Sequence, residues 1–173
     1  MLQNAIEEMT STSGLPWQVA FLRMMGAVVL CGLIGFEREV RDRPAGLRTH
    51  MLVGLAATLY CLIMLELVAR GDSSSDRVAM DPIRIVEAVT SGVAFLAAGM
   101  IVFSKGKVKG LTTGASLWLT AAVGLSIGLG MWLMGILTTL LALIVIRLVK
   151  TAERRTKAWL GGDDAPDDTG PGR

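Results

Sequence analysis

The sequence predicts an all-helical membrane protein, a polytopic bundle of five transmembrane spans with its N-terminus outside and its C-terminus in the cytoplasm. Composition gives the class: 52% of the 173 residues are hydrophobic, 18% are charged and the mean hydropathy is +0.55, a value that soluble domains of this size rarely reach. Length gives the number of spans. At about 20 apolar residues per span, the chain has room for five or six crossings and for no separate soluble catalytic domain.

Several functional classes are excluded by what the sequence contains. The formal net charge of +2 gives no support for a nucleic-acid partner. Cys31, Cys61 and His50 are too few and too scattered for a disulfide framework or a zinc site. No nucleophile lies near a base. We therefore expect no enzyme, no catalytic residue, no bound metal and no cofactor, and a chain whose first partner is the lipid bilayer.

The first two spans are defined by long apolar runs. Residues 1–16 carry acidic but no basic side chains, unlike a secretory signal peptide, and are predicted to form an outside N-terminal tail. Span one covers Trp17–Phe36 and is interrupted only by Arg23. Span two covers Thr49–Val68, with Glu66 near its end.

The remaining spans require a turn to be placed. The uncharged run Ala88–Phe103 is too short to cross the bilayer alone. Span three must therefore also include the helical turn that begins at Pro82. The last uncharged run would be about 55 Å long as one helix, nearly twice the hydrocarbon thickness, so it must fold back on itself. Glycines at Gly124–Gly130 predict the reversal and give spans over Thr112–Ile127 and Met131–Val149.

Basic residues predict the orientation. They concentrate between spans one and two, between spans three and four, and after span five, and the positive-inside rule assigns these segments to the cytoplasm. The residues are Arg38, Arg41, Arg43, Arg48, Lys105, Lys107, Lys109, Arg147, Lys150, Arg154, Arg155 and Lys157. The membrane domain is thus predicted at 17–150. Residues 151–173, which end in a stretch rich in Gly, Pro and Asp, are predicted to be a largely disordered cytoplasmic tail.

The turn between spans one and two is the densest polar stretch near the bilayer. Glu37 with Arg41, and Glu39 with Arg43, are i,i+4 pairs that extend span one as a charged helix. These pairs do not explain Arg48. It lies at the start of span two, at the positive end of the helix, where a cation needs a carboxylate partner. We therefore predict a Glu37–Arg48 pair that locks spans one and two. The candidate functional motif comprises Glu37, Arg38, Arg41, Arg48, Thr49 and His50.

A second group of charges lies toward the outer side. Arg23, Glu66 and Glu87 fall at comparable depths, where an unpaired charge is costly. Arg23 can extend to the headgroups, or the three can form an intramembrane charge cluster on an ion or proton path. Asp81, followed by Pro82, is a standard helix start, with a weak Mg²⁺ contact as the alternative.

Small residues recur at four-residue spacing, which in lipid allows helix backbones to approach closely. Both cysteines are interpreted as packing residues of this kind. The spacing predicts tight packing within the chain and a possible homo-oligomer. The positions are Ala27, Cys31, Gly35, Ala94, Ala98, Gly110, Gly114, Gly124 and Gly128.

Three blocks of this sequence resemble the bacterial MgtC/SapB membrane proteins in order and spacing. They are GLIGFEREVRDRPAGLRTHMLV from Gly32, DPIRIVEAVTSGVAFLAAGMI from Asp81 and VKGLTTGASLWLTAAVGLSIG from Val108. The resemblance implies that Glu37 is the functional glutamate of the family and that Arg48 and Thr49 are its Arg-Thr pair. His50 stands where the family often has Asn.

The resemblance implies a short SapB-like protein of the bacterial inner membrane that consists of the membrane domain alone. It further implies a regulator of adaptation to low magnesium or acid stress, acting by binding other membrane proteins, with ATP synthase or a transport ATPase as candidate partners. A small transporter or channel for Mg²⁺ or protons is the alternative. The lack of a carboxylate midway along any span favours the regulator.

Overall fold

The computed structural model describes residues 14–71, 82–104 and 107–159. In this part of the chain five helices follow one another, with a short antiparallel hairpin between the third and the fourth. The elements are α1 (Trp17–Val40), α2 (Leu47–Gly71), α3 (Pro82–Gly99), β1 (Val102–Ser104), β2 (Lys107–Lys109), α4 (Leu111–Gly128) and α5 (Trp132–Trp159). The prediction of a helical protein with five helices is confirmed.

Three of the described helices are long and apolar enough to cross a membrane. They cover Trp17–Val40, Leu47–Arg70 and Leu111–Gly128, and α5 adds a shorter apolar stretch over Trp132–Leu148. Large apolar side chains such as Phe21, on α1, are exposed on the outside of the bundle. A protein with this surface belongs in a membrane, because a soluble monomer rarely exposes so much contiguous apolar area.

Helix α4 is the centre of the bundle and packs against each of the other four helices. Its side chains Leu117, Val123 and Ile127 are fully buried. One core cluster lies between α4, α1 and α5, and a second lies between α4, α2 and α3. Helix α4 is thus the most buried of the described membrane-length helices, and it contains no charged residue.

Small residues let α4 approach its neighbours, as their spacing predicts. A Cβ added at Gly124 would overlap the Gly54 carbonyl oxygen of α2, and one at Gly128 would lie 2.7 Å from the Cys61 Cβ. The Thr58 hydroxyl uses this closeness to donate a hydrogen bond to the Gly124 carbonyl oxygen, at 2.8 Å. On α3 the prediction is wrong in register, because Ala94 and Ala98 are exposed while Ala97 contacts Gly114.

The reversal between α4 and α5 lies at the C-terminal end of the predicted glycine segment. The Met131 N–H donates to the Ser126 carbonyl at 2.8 Å and the Gly130 N–H to the Ile127 carbonyl at 2.9 Å, the two bonds of a Schellman motif. Gly130 has a φ of 81°, which glycine adopts without strain.

Two boundaries differ from the sequence prediction. Helix α3 ends at Gly99, and the chain then forms the hairpin in which Phe103 faces Val108, so span three does not continue to Phe103. Helix α5 continues to Trp159, into the tail predicted to be largely disordered from 151. The sequence 150–159 contains no Gly or Pro and favours helix. Residues 160–173, and most of the predicted outside tail, lie outside the described residues.

Candidate functional site

Two charged side chains and a histidine are buried at one end of the bundle. We call this the basic end, formed by the last turn of α1, the connection 41–46 and the first turns of α2 and α4. Glu37 is 5% exposed, Arg38 is 4% exposed and His50 is fully buried. All three belong to the predicted functional motif, and the structure brings them together between α1, α2 and α4.

Glu37 pairs with Arg41 and not with Arg48. The Arg41 Nε lies against the Glu37 Oε1, and the two side chains are 22% and 4% exposed. Among the described residues neither Glu37 oxygen accepts a hydrogen bond, so Arg41 is the charge that compensates this buried carboxylate. The predicted Glu37–Arg48 pair is therefore corrected. Arg41, at the C-cap of α1 and four residues from Glu37, is nearer than Arg48, which follows the connection to α2.

Arg48 and Thr49 lie at the surface of the basic end. Arg48 is exposed, Thr49 is half-buried, and both line a shallow polar cavity of about 420 Å³ together with Asp42 and Arg43. Glu39 lies in the same cavity and has a structural function that the sequence did not reveal. Its Oε2 accepts a hydrogen bond from the Leu47 N–H at 2.9 Å, which satisfies a free amide at the start of α2.

Arg38 connects α1 to α4. Its Nη2 donates a hydrogen bond to the Thr112 Oγ1 at 3.2 Å. Its Nε is buried and has no hydrogen-bond partner among the described residues. A guanidinium carries five N–H donors, so Arg38 retains donor capacity at this end of the bundle.

His50 connects the start of α2 to α4. Its Nδ1 lies 2.8 Å from the Gly46 carbonyl oxygen and its Nε2 lies 3.1 Å from the Ser116 Oγ. A carbonyl oxygen can only accept, so Nδ1 carries the proton and donates. The Ser116 hydroxyl donates to the Thr113 carbonyl oxygen at 2.8 Å, so its oxygen lies beside Nε2 while its proton is directed to that carbonyl. Ser116 and Thr112 are the residues of this site that sequence reasoning missed, although they are one helical turn apart on the uncharged α4.

A cavity of about 560 Å³ opens between α1, α4 and α5 at the basic end. Arg38, Arg41 and Arg43 line one end of it, and apolar side chains of α4 and α5 line the rest. Sequence reasoning did not find this cavity, because its apolar wall has the same composition as the lipid-facing surface of the same helices.

The predicted charge cluster of Arg23, Glu66 and Glu87 is not assembled. The Arg23 Nη1 donates to the Gly128 carbonyl oxygen at 2.7 Å, at the C-terminus of α4, where carbonyl groups attract a cation. Glu66 forms an ion pair with Arg70 at 2.8 Å, and Glu87 is exposed on α3. Arg23 is therefore held by backbone rather than by carboxylates, which differs from both the snorkelling and the cluster interpretation.

The remaining candidates give no site in the described part of the chain. Asp81 lies outside the described residues. Where the structure is described, it contains no group of three His, Cys, Asp or Glu side chains that could hold a metal ion. Cys31 is buried and its Sγ donates to the Thr120 carbonyl oxygen at 3.6 Å, while Cys61 is buried in the second core cluster. Both are in packed positions, as predicted.

The chain is similar to several bacterial proteins. It is 40% identical over 127 residues to "Putative magnesium transporter YhiD" of Escherichia coli K12, which covers 73% of this chain and 59% of that protein. It is 36% identical over 153 residues to protein SrpB of Synechococcus elongatus, covering 83% and 81%. It is 44% identical over 109 residues to protein MgtC of Brucella abortus, covering 62% and 42%.

These alignments have different extents. The chain spans somewhat more than half of YhiD and less than half of the Brucella protein, whereas it covers most of SrpB. No solved structure matches the chain. The MgtC family model matches residues 24–155, which include α1 from Met24 onward, α2 to α4, the apolar part of α5 and the whole of the basic end. The chain therefore belongs to the MgtC family.

Proposed function

We propose that this protein is a regulator in the bacterial inner membrane that acts by binding other membrane proteins during adaptation to low magnesium or acid stress. It is proposed to have no enzymatic activity. ATP synthase, a transport ATPase and a second copy of the chain are the candidate partners. Sequence similarity to MgtC proteins supports the family context, and the distribution of charge in the bundle supports binding over transport.

The observation that carries the proposal is the uncharged middle of the bundle. On α1 no charged residue lies between Arg23 and Glu37, about 20 Å of helix, and α4 has none at all. Fully buried side chains fill the space between the two ends, and the hydroxyls among them, those of Thr58, Thr120 and Thr139, donate to backbone carbonyl oxygens. Acidic and basic residues mark the paths of cations through a bilayer, and this stretch of α1 and α4 has none.

The proposed topology places five helices across the membrane with the N-terminus outside. It is supported by the exposed basic residues Arg43, Arg48 and Lys109, which all lie at the basic end. In this orientation the polar cavity around Arg48 and Thr49 faces the cytoplasm, where a membrane-bound partner's cytoplasmic surface can contact it.

Site-specific photo-crosslinking tests partner binding directly. A photoreactive residue at position 48 is expected to give protein adducts in cells grown with limiting magnesium. A residue at position 22 is the matched control, because Leu22 is 58% exposed on the apolar surface of α1, away from the basic end. Mass spectrometry of the adduct identifies the partner, with the two ATPases as named candidates.

Transport is the second candidate, favoured by the name that YhiD carries. Purified protein in liposomes is expected to give no Mg²⁺ or proton flux above that of protein-free liposomes. A flux that rises with the amount of protein would contradict the regulator proposal, and so would equal adducts at positions 22 and 48.

A further inference from the structure

The cavity between α1, α4 and α5 has a charged end and an apolar length. Arg38, Arg41 and Arg43 lie at the basic end. From there the cavity follows α4 from Thr112 to Leu119, seven residues or about 10 Å of helix. Its other wall is the facing part of α5. A ligand that fills it must therefore carry an anionic group at one end and an apolar chain behind it.

The positive charge at the arginine-lined end of the cavity favours binding of an anion. Among the described residues three arginines and no carboxylate line the cavity, and of these arginines Arg41 is paired with Glu37. Arg38 is 4% exposed and its Nε has no hydrogen-bond partner among the described residues, although a buried donor normally has one. Arginine forks match phosphate oxygens in pairs, so a phosphate at this position would use donors that the protein leaves free.

The apolar wall excludes a small polar anion as the full occupant. Leu141 and Val145 of α5 are 60% and 57% exposed, and with Leu119 they form a wall open toward the lipid phase. A free phosphate ion would leave this wall uncovered. A lipid enters such a cavity sideways from the bilayer and covers it with an acyl chain.

The cavity has the length that an acyl chain requires. It runs for about 10 Å along α4 and has a volume of about 560 Å³, which accommodates extended hydrocarbon chains. A partner helix could also cover the apolar side chains, but the three arginines at one end favour an occupant that carries an anionic group as well as an apolar one.

We propose that this cavity binds an anionic phospholipid, with the headgroup phosphate between Arg38, Arg41 and Arg43 and the acyl chain along α4 and α5. Basic pockets between transmembrane helices bind anionic headgroups in this way. The site shares Arg43 with the polar cavity around Arg48 and Thr49 but contains neither of those two residues, and it does not depend on the regulatory role.

Lipid binding is tested by thermal unfolding of the purified full chain in a neutral detergent. Phosphatidylglycerol is expected to raise Tm, whereas phosphatidylcholine and inorganic phosphate at the same concentration do not. Arg43→Gln should weaken binding of phosphatidylglycerol about tenfold, the loss of one charge-assisted contact. Arg48→Gln is the matched control and should bind as the wild type does, because Arg48 is an exposed arginine at the same end but outside the cavity.

A second variant tests the apolar part and leaves the arginines in place. Ala115 is exposed and lines the cavity, so Ala115→Phe should fill the acyl-chain path and remove the Tm shift. A photoreactive residue at position 115 should give an adduct with the mass of a phospholipid in native membranes. A protein adduct there would mean a helix occupant and overturn the proposal. Equal shifts with phosphatidylcholine or inorganic phosphate, or equal losses in Arg43→Gln and Arg48→Gln, would overturn it as well.

Discussion

At the scale of single residues, the burial of Glu37 makes its partner arginine important for stability. Truncating one member of a buried ion pair leaves an uncompensated charge, which is more harmful than losing a surface pair. We expect Glu37→Ala and Arg41→Ala to be strongly coupled in a double-mutant cycle, by about 1–3 kcal/mol in the free energy of unfolding in detergent. The cycle of Glu37→Ala with Arg48→Ala is the control and should be additive. Coupling of similar size in both cycles would contradict the pairing in the structure.

His50 provides a second test at this scale, because it forms hydrogen bonds in a fully buried position. His50→Leu removes the donor to the Gly46 carbonyl and the partner of Ser116, and we expect a loss of about 2–4 kcal/mol in the free energy of unfolding. His50→Asn should lose less, since its shorter amide can still donate to Gly46 one turn earlier on the chain. A comparison of chemical unfolding of both variants with the wild type measures this. A larger loss in His50→Asn than in His50→Leu would mean that side-chain volume, not hydrogen bonding, decides, because leucine is about as large as histidine and asparagine is smaller.

The site residues differ in how far the sequence could predict them. The Glu37–Arg41 pair follows from i,i+4 spacing on one helix, a local rule that the sequence contains. The partner of Arg23 is a backbone carbonyl at Gly128, on another helix, and no side-chain pattern indicates a carbonyl. For Arg48 the local electrostatic argument was wrong, because an exposed cation can be solvated and needs no carboxylate.

At the scale of elements, α4 depends on glycine for its contact with α2. Gly124→Ala places a methyl group against the Gly54 carbonyl, and we expect a destabilisation of about 1–3 kcal/mol from overpacking. Gly92→Ala is the matched control in α3, since a Cβ at Gly92 has nothing within 4 Å. It should be neutral or stabilise by up to about 1 kcal/mol through helix propensity. Thermal unfolding of the two variants distinguishes them, and similar Tm changes would argue against the close α2–α4 contact.

The helices could be predicted because each apolar run has a length set by the bilayer, whereas their ends depend on short-range chemistry. The hairpin at Val102–Lys109 was missed, since three-residue strands give too little alternation to detect. Its position requires Gly110, which has a φ of 90° and lies so close to the Met100 carbonyl that a Cβ would overlap it. Gly110, at the N-cap of α4, thus allows the start of α4 to lie against the chain that leaves α3.

At the scale of the whole molecule, the two ends of the bundle differ in how charge is held. At the basic end, Glu37, Arg38 and His50 are buried and connect three helices. At the opposite end, Arg23 holds the C-terminus of α4, and Glu66 and Arg70 pair within α2. Between them the described part of the bundle holds no buried charge, and its buried hydroxyls, such as those of Thr58 and Thr120, donate to backbone carbonyl oxygens. A change at one end therefore reaches the other through helix packing around α4.

The orientation of this asymmetric bundle can be tested by thiol labelling. In a Cys31→Ala, Cys61→Ala background, Arg43→Cys and Phe103→Cys are expected to react with a membrane-impermeant reagent only after the cells are permeabilised. Met131→Cys, in the exposed turn between α4 and α5, should react in intact cells. The reason is that five crossings with basic residues inside place the two connections at the basic end in the cytoplasm.

Position 103 is the most informative of the three, because it follows α3, which is not among the described helices that are long and apolar enough to cross a membrane. If α3 crosses, Phe103→Cys is protected like Arg43→Cys. Labelling of Phe103→Cys in intact cells, with Arg43→Cys still protected, would leave α3 on the outer surface and reduce the number of spans. Labelling of Arg43→Cys from outside would invert the whole bundle and place Arg48 and the lipid cavity in the opposite leaflet.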